Sequence, residues 1–323
     1  MRVLCHTGSG DAHVTAFNLT AANNYGPGFF SSECGVTLTD SILLGNGNHA
    51  DDYAVAVTDA EDHTQEIRRL NITGGRGGVW VHDVIRLSLT DVDVRRTYGG
   101  RAALFIEVYS YSSPDITVYG NTFENNTLAS NGAVMQLDFA WSVHSSRRGT
   151  IKVEANDIYS NRLGLAVVRW ITTTTWPRSQ YEDVRFVGNR VLGNRLSDVR
   201  AGAVRAEGYG GKLQYNFFVN DEQLSEITTA IVCTTCREVD ARENWWGTTE
   251  NVTVRSRVLD SEDDSMLPTI VTMPFLKSAE FDCSEVNNCS SRGECSQPQT
   301  CSCDSGKRMD SDAWLASKAD TTA

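Results

Sequence analysis

Between residues 116 and 221 one pattern of apolar and polar positions recurs. Residues 116–126 read ITVYGNTFENN, alternating apolar and polar as far as an asparagine-rich corner. The unit returns as IKVEANDIYSN over 151–161 and VRFVGNRVLGN over 184–194, and in looser form as LQYNFFVND over 213–221. Aligned on Asn121, Asn156, Asn189 and Asn216, each copy has an apolar residue two positions later: Phe123, Ile158, Val191 and Phe218. A fifth copy begins at Asn244 and has Trp246 there, so the anchors are spaced by 35, 33, 27 and 28 residues, the period of a solenoid.

Period-two alternation predicts strands with one buried face, and asparagine is among the few non-glycine residues that accept a left-handed turn. Strands bending at the same place in every turn of a coil put those asparagines above one another, about 4.8 Å apart, where their amides bond along the stack. The expected fold is therefore all-β: a right-handed parallel β-helix with an asparagine ladder of Asn121, Asn156, Asn189, Asn216 and Asn244. A second strand is expected after each corner, at Ala102–Val108, Ala133–Phe139, Leu165–Trp170, Ala203–Glu207 and Ala230–Thr234, with loops of irregular length between. Leucine-rich repeats would need leucine at fixed offsets where this chain has Val, Ile, Phe and Tyr. Weaker copies run from Val36 to Val108, so the coil is expected over 36–246, with 1–35 as an eroded first rung or N-terminal cap. Trp245, Trp246 and Gly247 would close the apolar column in a capping segment over 247–280, since an uncovered last rung invites pairing. Arg257 and Asp260 would pair across its turn, and Pro274 would stop its final strand.

Composition narrows the partners. With 29 basic against 41 acidic residues, net −12, and no dense run of Lys or Arg, nucleic acid is not an expected partner. Forty per cent apolar residues suffices for a packed core. The N-terminal residues have no apolar stretch of signal-peptide length, and no run of roughly 18 apolar residues would span a membrane. Five glycosylation sequons, at Asn18, Asn71, Asn125, Asn251 and Asn288, argue for an extracellular setting. The chain reads as a fragment of a longer secreted or membrane-anchored protein, itself making no membrane contact.

The order N-W-W-G (244–247), R-V-L-D (257–260), Asp263-Asp264 and M-P-F-L (273–276), after asparagine-cornered rungs and before a cysteine cluster, resembles the ectodomain of the animal family called bark beetle, or Anakonda. The resemblance covers roughly residues 100–305 and is sharpest over 242–276. It implies a pectate-lyase-like β-helix block of a very large single-pass membrane protein of epithelial tricellular junctions. The cluster Cys283-x5-Cys289-x5-Cys295-x5-Cys301-x-Cys303 is similar to an EGF module, truncated over 281–306. That similarity implies Cys283–Cys295 and Cys289–Cys301 disulfides. Residues 307–323 read as a disordered tail. Of the other cysteines, Cys233 and Cys236 could bridge across a turn, and Cys5 with Cys34 is the remaining pairing; too few ligands gather for zinc.

Catalytic residues, metal and cofactors are not expected. The second strands carry Glu107, Asp138, Arg169, Arg205 and Glu207, which could form the row of a polysaccharide lyase, hydrolase or epimerase, but outward charges are also what solubility demands. The six histidines show no ligand spacing. Trp141, Trp170 and Trp176 could form a platform for a glycan or protein, or pin loops to the coil. The expected function is a non-catalytic extracellular scaffold or adhesion rod binding other extracellular proteins or itself, with glycans as possible ligands; the alternative is a glycan-acting enzyme.

Overall fold

The computed structural model describes residues 1–4, 12–47, 53–59, 63–108, 114–129, 131–140, 150–164, 166–173, 183–196, 202–207, 211–220, 225–230, 239–265 and 267–277, with the backbone of strands Gly293–Gln297 and Thr300–Cys303. The chain is a parallel β-helix. A ten-stranded sheet stacks Arg2–Leu4, Phe29–Ser32, Val55–Thr58, Val79–His82, Ala102–Val108, Ala133–Ala140, Ala166–Thr173, Gly202–Glu207, Ser225–Ala230 and Val258–Leu259 in chain order. All neighbouring pairs in it are parallel, so every turn of the coil adds one strand. At a rise of about 4.8 Å per strand, the stack extends roughly 43 Å.

A sixteen-stranded sheet supplies the rest of each turn as strand pairs bent at the corner. Asp115–Tyr119 and Thr122–Glu124 are one such pair, and Thr150–Glu154 with Asp157–Tyr159 is the next, each paired in register with its successor. In the early turns Gly35–Leu44 and Thr64–Thr73 run through the bend as single strands of ten residues.

The residue that turns the corner is the one before the ladder asparagine. Gly120, Ala155, Gly188, Tyr215 and Glu243 have φ between 55° and 66°, and Asp40, Arg69 and Asp91, with φ between 51° and 54°, are left-handed likewise in earlier turns. The expected left-handed asparagine is thus corrected by one position, for a physical reason. Left-handed backbone one residue earlier aims the asparagine side chain inward, where its amide meets the neighbouring turns. Asn121, Asn156, Asn189, Asn216 and Asn244 are all buried. The first four side-chain amides donate to the next Oδ1, at 2.9, 2.9, 3.1 and 3.0 Å, and all five donate to a carbonyl in the preceding turn.

A second ladder stands at the next corner: Asn126, Asn161, Asn194 and Asn220, linked by bonds of 2.9, 2.9 and 3.0 Å. The buried Glu226 ends it, accepting from the Asn220 side chain at 2.7 Å. Between the ladders, Phe123, Ile158, Val191, Phe218 and Trp246 form an inward column, with the Trp246 ring 5.4 Å from that of Phe218.

The coil runs past its expected C-terminal bound, and at the N-terminal end residues 1–35 fit the eroded rung and not the cap. Residues 1–35 supply strands to both sheets, and the segment after Trp246 adds Val258–Leu259 to one sheet and Ile270–Val271 to the other. Residues 247–280 therefore include further strands of the coil. The fifth second strand is Ser225–Ala230, set in register by Ile227 stacking on Val204, and residues 231–234 of the expected strand lie outside the described residues. Asn251–Ser256 is the one helix among the described residues. Asp260 pairs with Arg255, at 2.8 Å, while Arg257 donates to the Trp246 carbonyl at 2.7 Å and faces Glu226 at 3.6 Å. The helix explains the exchange, since it carries Arg255 back toward the acidic turn at 260–263.

Trp170 is not a platform residue. It points inward, 1% exposed, in register with Leu137 and Ala206, and its ring lies 6.4 Å from that of Phe186. The small Ala206 above it leaves room for the indole. Trp141 and Trp176 lie outside the described residues, as do Cys5, Cys233, Cys236, Cys283, Cys289, Asn288 and the tail. Cys34 is disulfide-bonded. Gly293–Gln297 and Thr300–Cys303 form an antiparallel hairpin whose backbone sets Cys295 opposite Cys301.

Candidate functional site

The outer face of the ten-stranded sheet gathers the chemistry. Strand alternation and exact parallel register align two rows of outward residues along the coil. One runs Ala56, Trp80, Phe105, Gln136, Arg169 and Arg205, and the other Thr58, His82, Glu107, Asp138, Ile171 and Glu207. The five charged residues singled out by sequence thus share one face.

At the N-terminal end the face is aromatic. Met1, Arg2, Pro27, Phe30, Tyr53, Ala56 and Trp80 line a cavity of about 410 Å³. Tyr53 lies 6.0 Å from Trp80 and 6.4 Å from Phe105, ring to ring. The guanidinium of Arg2 stands 5.3 Å over Phe30 and that of Arg101 stands 4.4 Å over Phe105. Trp80 donates through Nε1 to Glu107 at 3.0 Å, joining the aromatic end to the charged part.

In the charged part the carboxylates are held from their own strand and from a neighbouring turn. Glu207 accepts from Arg169 at 2.8 and 3.0 Å and from Arg205 at 2.8 Å. Burial alone would raise its carboxyl, but the hydrogen bonds from Arg169 and Arg205 outweigh burial and hold it below the ordinary range. Asp138, 8% exposed, accepts from Gln136 at 2.9 Å and Arg101 at 3.3 Å, all on Oδ2. Its buried Oδ1 has no hydrogen-bond partner among the described residues, and burial pushes this carboxyl up despite Gln136 and Arg101. Fixed guanidinium, amide and carboxylate groups beside an aromatic end form a strip able to hydrogen-bond and stack along an elongated polar ligand.

Among the described residues one grouping of metal-ligating side chains occurs: Asp59, His82 and Asp83, whose ligand atoms lie within 4.8 Å of one another. Sequence spacing did not reveal it, because the two parts come from successive turns. The signal present was the repeated strand ending, V-A-V-T-D over 55–59 and V-W-V-H-D over 79–83. The sequon asparagines Asn18, Asn71, Asn125 and Asn251 are all exposed, on different parts of the coil. No family model matches the chain, and neither does any curated protein or solved structure.

Proposed function

We propose that the chain is a non-catalytic extracellular scaffold, a rod within a larger secreted or membrane-anchored protein. Its outer face and loops bind other extracellular proteins, further copies of itself, or glycans. One observation carries the reading: the carboxylates on that face are committed within the protein. Glu207 is clasped by two guanidiniums and Asp138 is nearly inaccessible. A general acid or base must reach the proton it transfers, and neither group stands open to substrate. Oxidation of Cys34 and the exposure of four sequons support an extracellular setting. The resemblance of residues 242–276 to the bark beetle family points to epithelial tricellular junctions as the setting.

The test is incubation of the protein with pectate, alginate, glycosaminoglycans and neutral glucans, following reducing ends and unsaturated uronate absorbance. No turnover is expected, and retention of an immobilised extracellular ligand is expected to leave that ligand unaltered. Turnover abolished by Asp138→Asn would overturn the scaffold in favour of the alternative, a polysaccharide-acting enzyme with Asp138 as proton donor.

A further inference from the structure

The Val55–Thr58 and Val79–His82 strands end at the same corner of successive turns. Asp59 and Asp83 follow them, both left-handed, with φ of 56° and 49°. The Asp59 amide donates to the His82 carbonyl at 3.0 Å and the Asp83 amide to the Glu107 carbonyl at 2.9 Å, so both corners are fixed to the turn above. Between them, His82 Nδ1 lies 3.6 Å from Asp59 Oδ1 and 3.7 Å from Asp83 Oδ2. These separations exceed a hydrogen bond and lie within ion-pair reach of a protonated imidazole. They also fit two edges of a coordination polyhedron, since ligands about 2.1 Å from a tetrahedral ion are about 3.4 Å apart, and slightly more when the angle opens, with the third pair of ligand atoms within 4.8 Å. The imidazole is also oriented, with its ring 5.8 Å from that of Trp80.

We infer that Asp59, His82 and Asp83 bind one divalent transition-metal ion of the zinc class. An imidazole nitrogen with two carboxylates is a borderline donor set, suited to Zn²⁺ or Ni²⁺, whereas Ca²⁺ takes six to eight oxygens. The ion neutralises two carboxylates brought together by the stacking of turns and ties one corner to the next. Three protein donors leave at least one position for water or a ligand oxygen, beside the aromatic end of the outer face. The inference stands on this geometry alone and does not depend on the scaffold reading.

The experiment uses the full chain, free of any histidine tag and dialysed against EDTA, titrated with ZnCl₂ at pH 7.5 by calorimetry. One ion per chain is expected, with at least tenfold weaker binding in Asp59→Asn and none in His82→Ala. Asp59 is exposed at a corner, so Asp59→Asn is expected to fold even where His82→Ala does not. As a second readout, Ni²⁺ should quench part of the tryptophan emission, through Trp80, in the wild type and not in Asp59→Asn. CaCl₂ should give no heat. Absence of zinc binding, or binding and quenching equal in wild type and Asp59→Asn, overturns the site.

Discussion

The Asn156 side chain takes part in five hydrogen bonds. It donates to the carbonyls of Val118 and Glu154 and to Asn189 Oδ1, and it accepts from the backbone and side chain of Asn121. Truncation leaves buried donors and acceptors in both adjacent turns unpaired, at about 1–3 kcal/mol for each group left unsatisfied. Asn156→Ala is therefore expected to destabilise the rod by about 3 kcal/mol or more in urea unfolding, whereas Asn71→Ala, exposed on a strand, should stay within about 0.5 kcal/mol. The residue before it offers the opposite change. Ala155 sits at φ 55° where Gly120 and Gly188 occupy the equivalent corners of the adjacent turns. A left-handed non-glycine residue costs roughly 1–2 kcal/mol, so Ala155→Gly should raise the unfolding midpoint, by about 1 kcal/mol after the added chain entropy. At this scale the ladder was legible because asparagine recurs beside apolar alternation. The left-handed position was not, because Ala155, Tyr215 and Glu243 are residue types that advertise no turn. The second ladder was written in the same repeats, as Asn126, Asn161 and Asn194 five residues after the first set, and spacing within a repeat would have found it.

Ladders and columns are elements with ends, and the ends are where charge and bulk are spent. Glu226 closes the second ladder in full burial, and that burial pushes its carboxyl up to about 7 from 4.5, despite donors from Asn220 and the charge of Arg257. A carboxyl raised in the fold binds more protons there than in the unfolded chain. Its contribution is thus complete below about pH 4.5 and is lost as the pH rises to about 7. The gap corresponds to about 3 kcal/mol. Glu226→Gln should gain about that much relative to the wild type between pH 4.5 and 8, read as the difference of two urea-melting series; a constant difference sinks the assignment. The apolar column closes on Trp246, and Trp246→Ala is expected to cost about 3–5 kcal/mol, read as a lowered denaturation midpoint. The tryptophan lid was legible as two large aromatics and a glycine after the last asparagine. The strand Ser225–Ala230 was not, since its inward side chain is the single isoleucine of a polar run and its place is decided by the turn beneath it. The outer face was half legible: its charged residues were named, but their pairing depends on register between strands some 30 residues apart, which no local pattern encodes. The Asp59–His82–Asp83 grouping was hidden for the same reason.

The coil is quasi-one-dimensional, so each turn is stabilised chiefly by its two neighbours, and among the described residues the first and last turns pair with one. This is also why the sequence showed residues 1–35 only as an eroded rung or a cap and placed the C-terminal end too far inward: terminal turns cover less apolar surface and drift from the repeat. The two ends differ. At the C-terminal end Trp246, Val254 of the short helix, Val258 of the strand after it and Phe275 are all buried. At the N-terminal end Phe17 is 68% exposed and Leu4 55% exposed, and among the described residues the strand His13–Phe17 pairs on one side, with Gly35–Leu44. Opening should then begin there and progress turn by turn. Amide hydrogen exchange should be fastest in 13–22, slower in 258–271 and slowest in the central strands 116–124 and 151–159, with Asn156→Ala raising exchange in the turns on both sides of it before the ends respond. Equal protection along the chain would mean that all turns open together, and stability would then belong to a three-dimensional core instead of a stack.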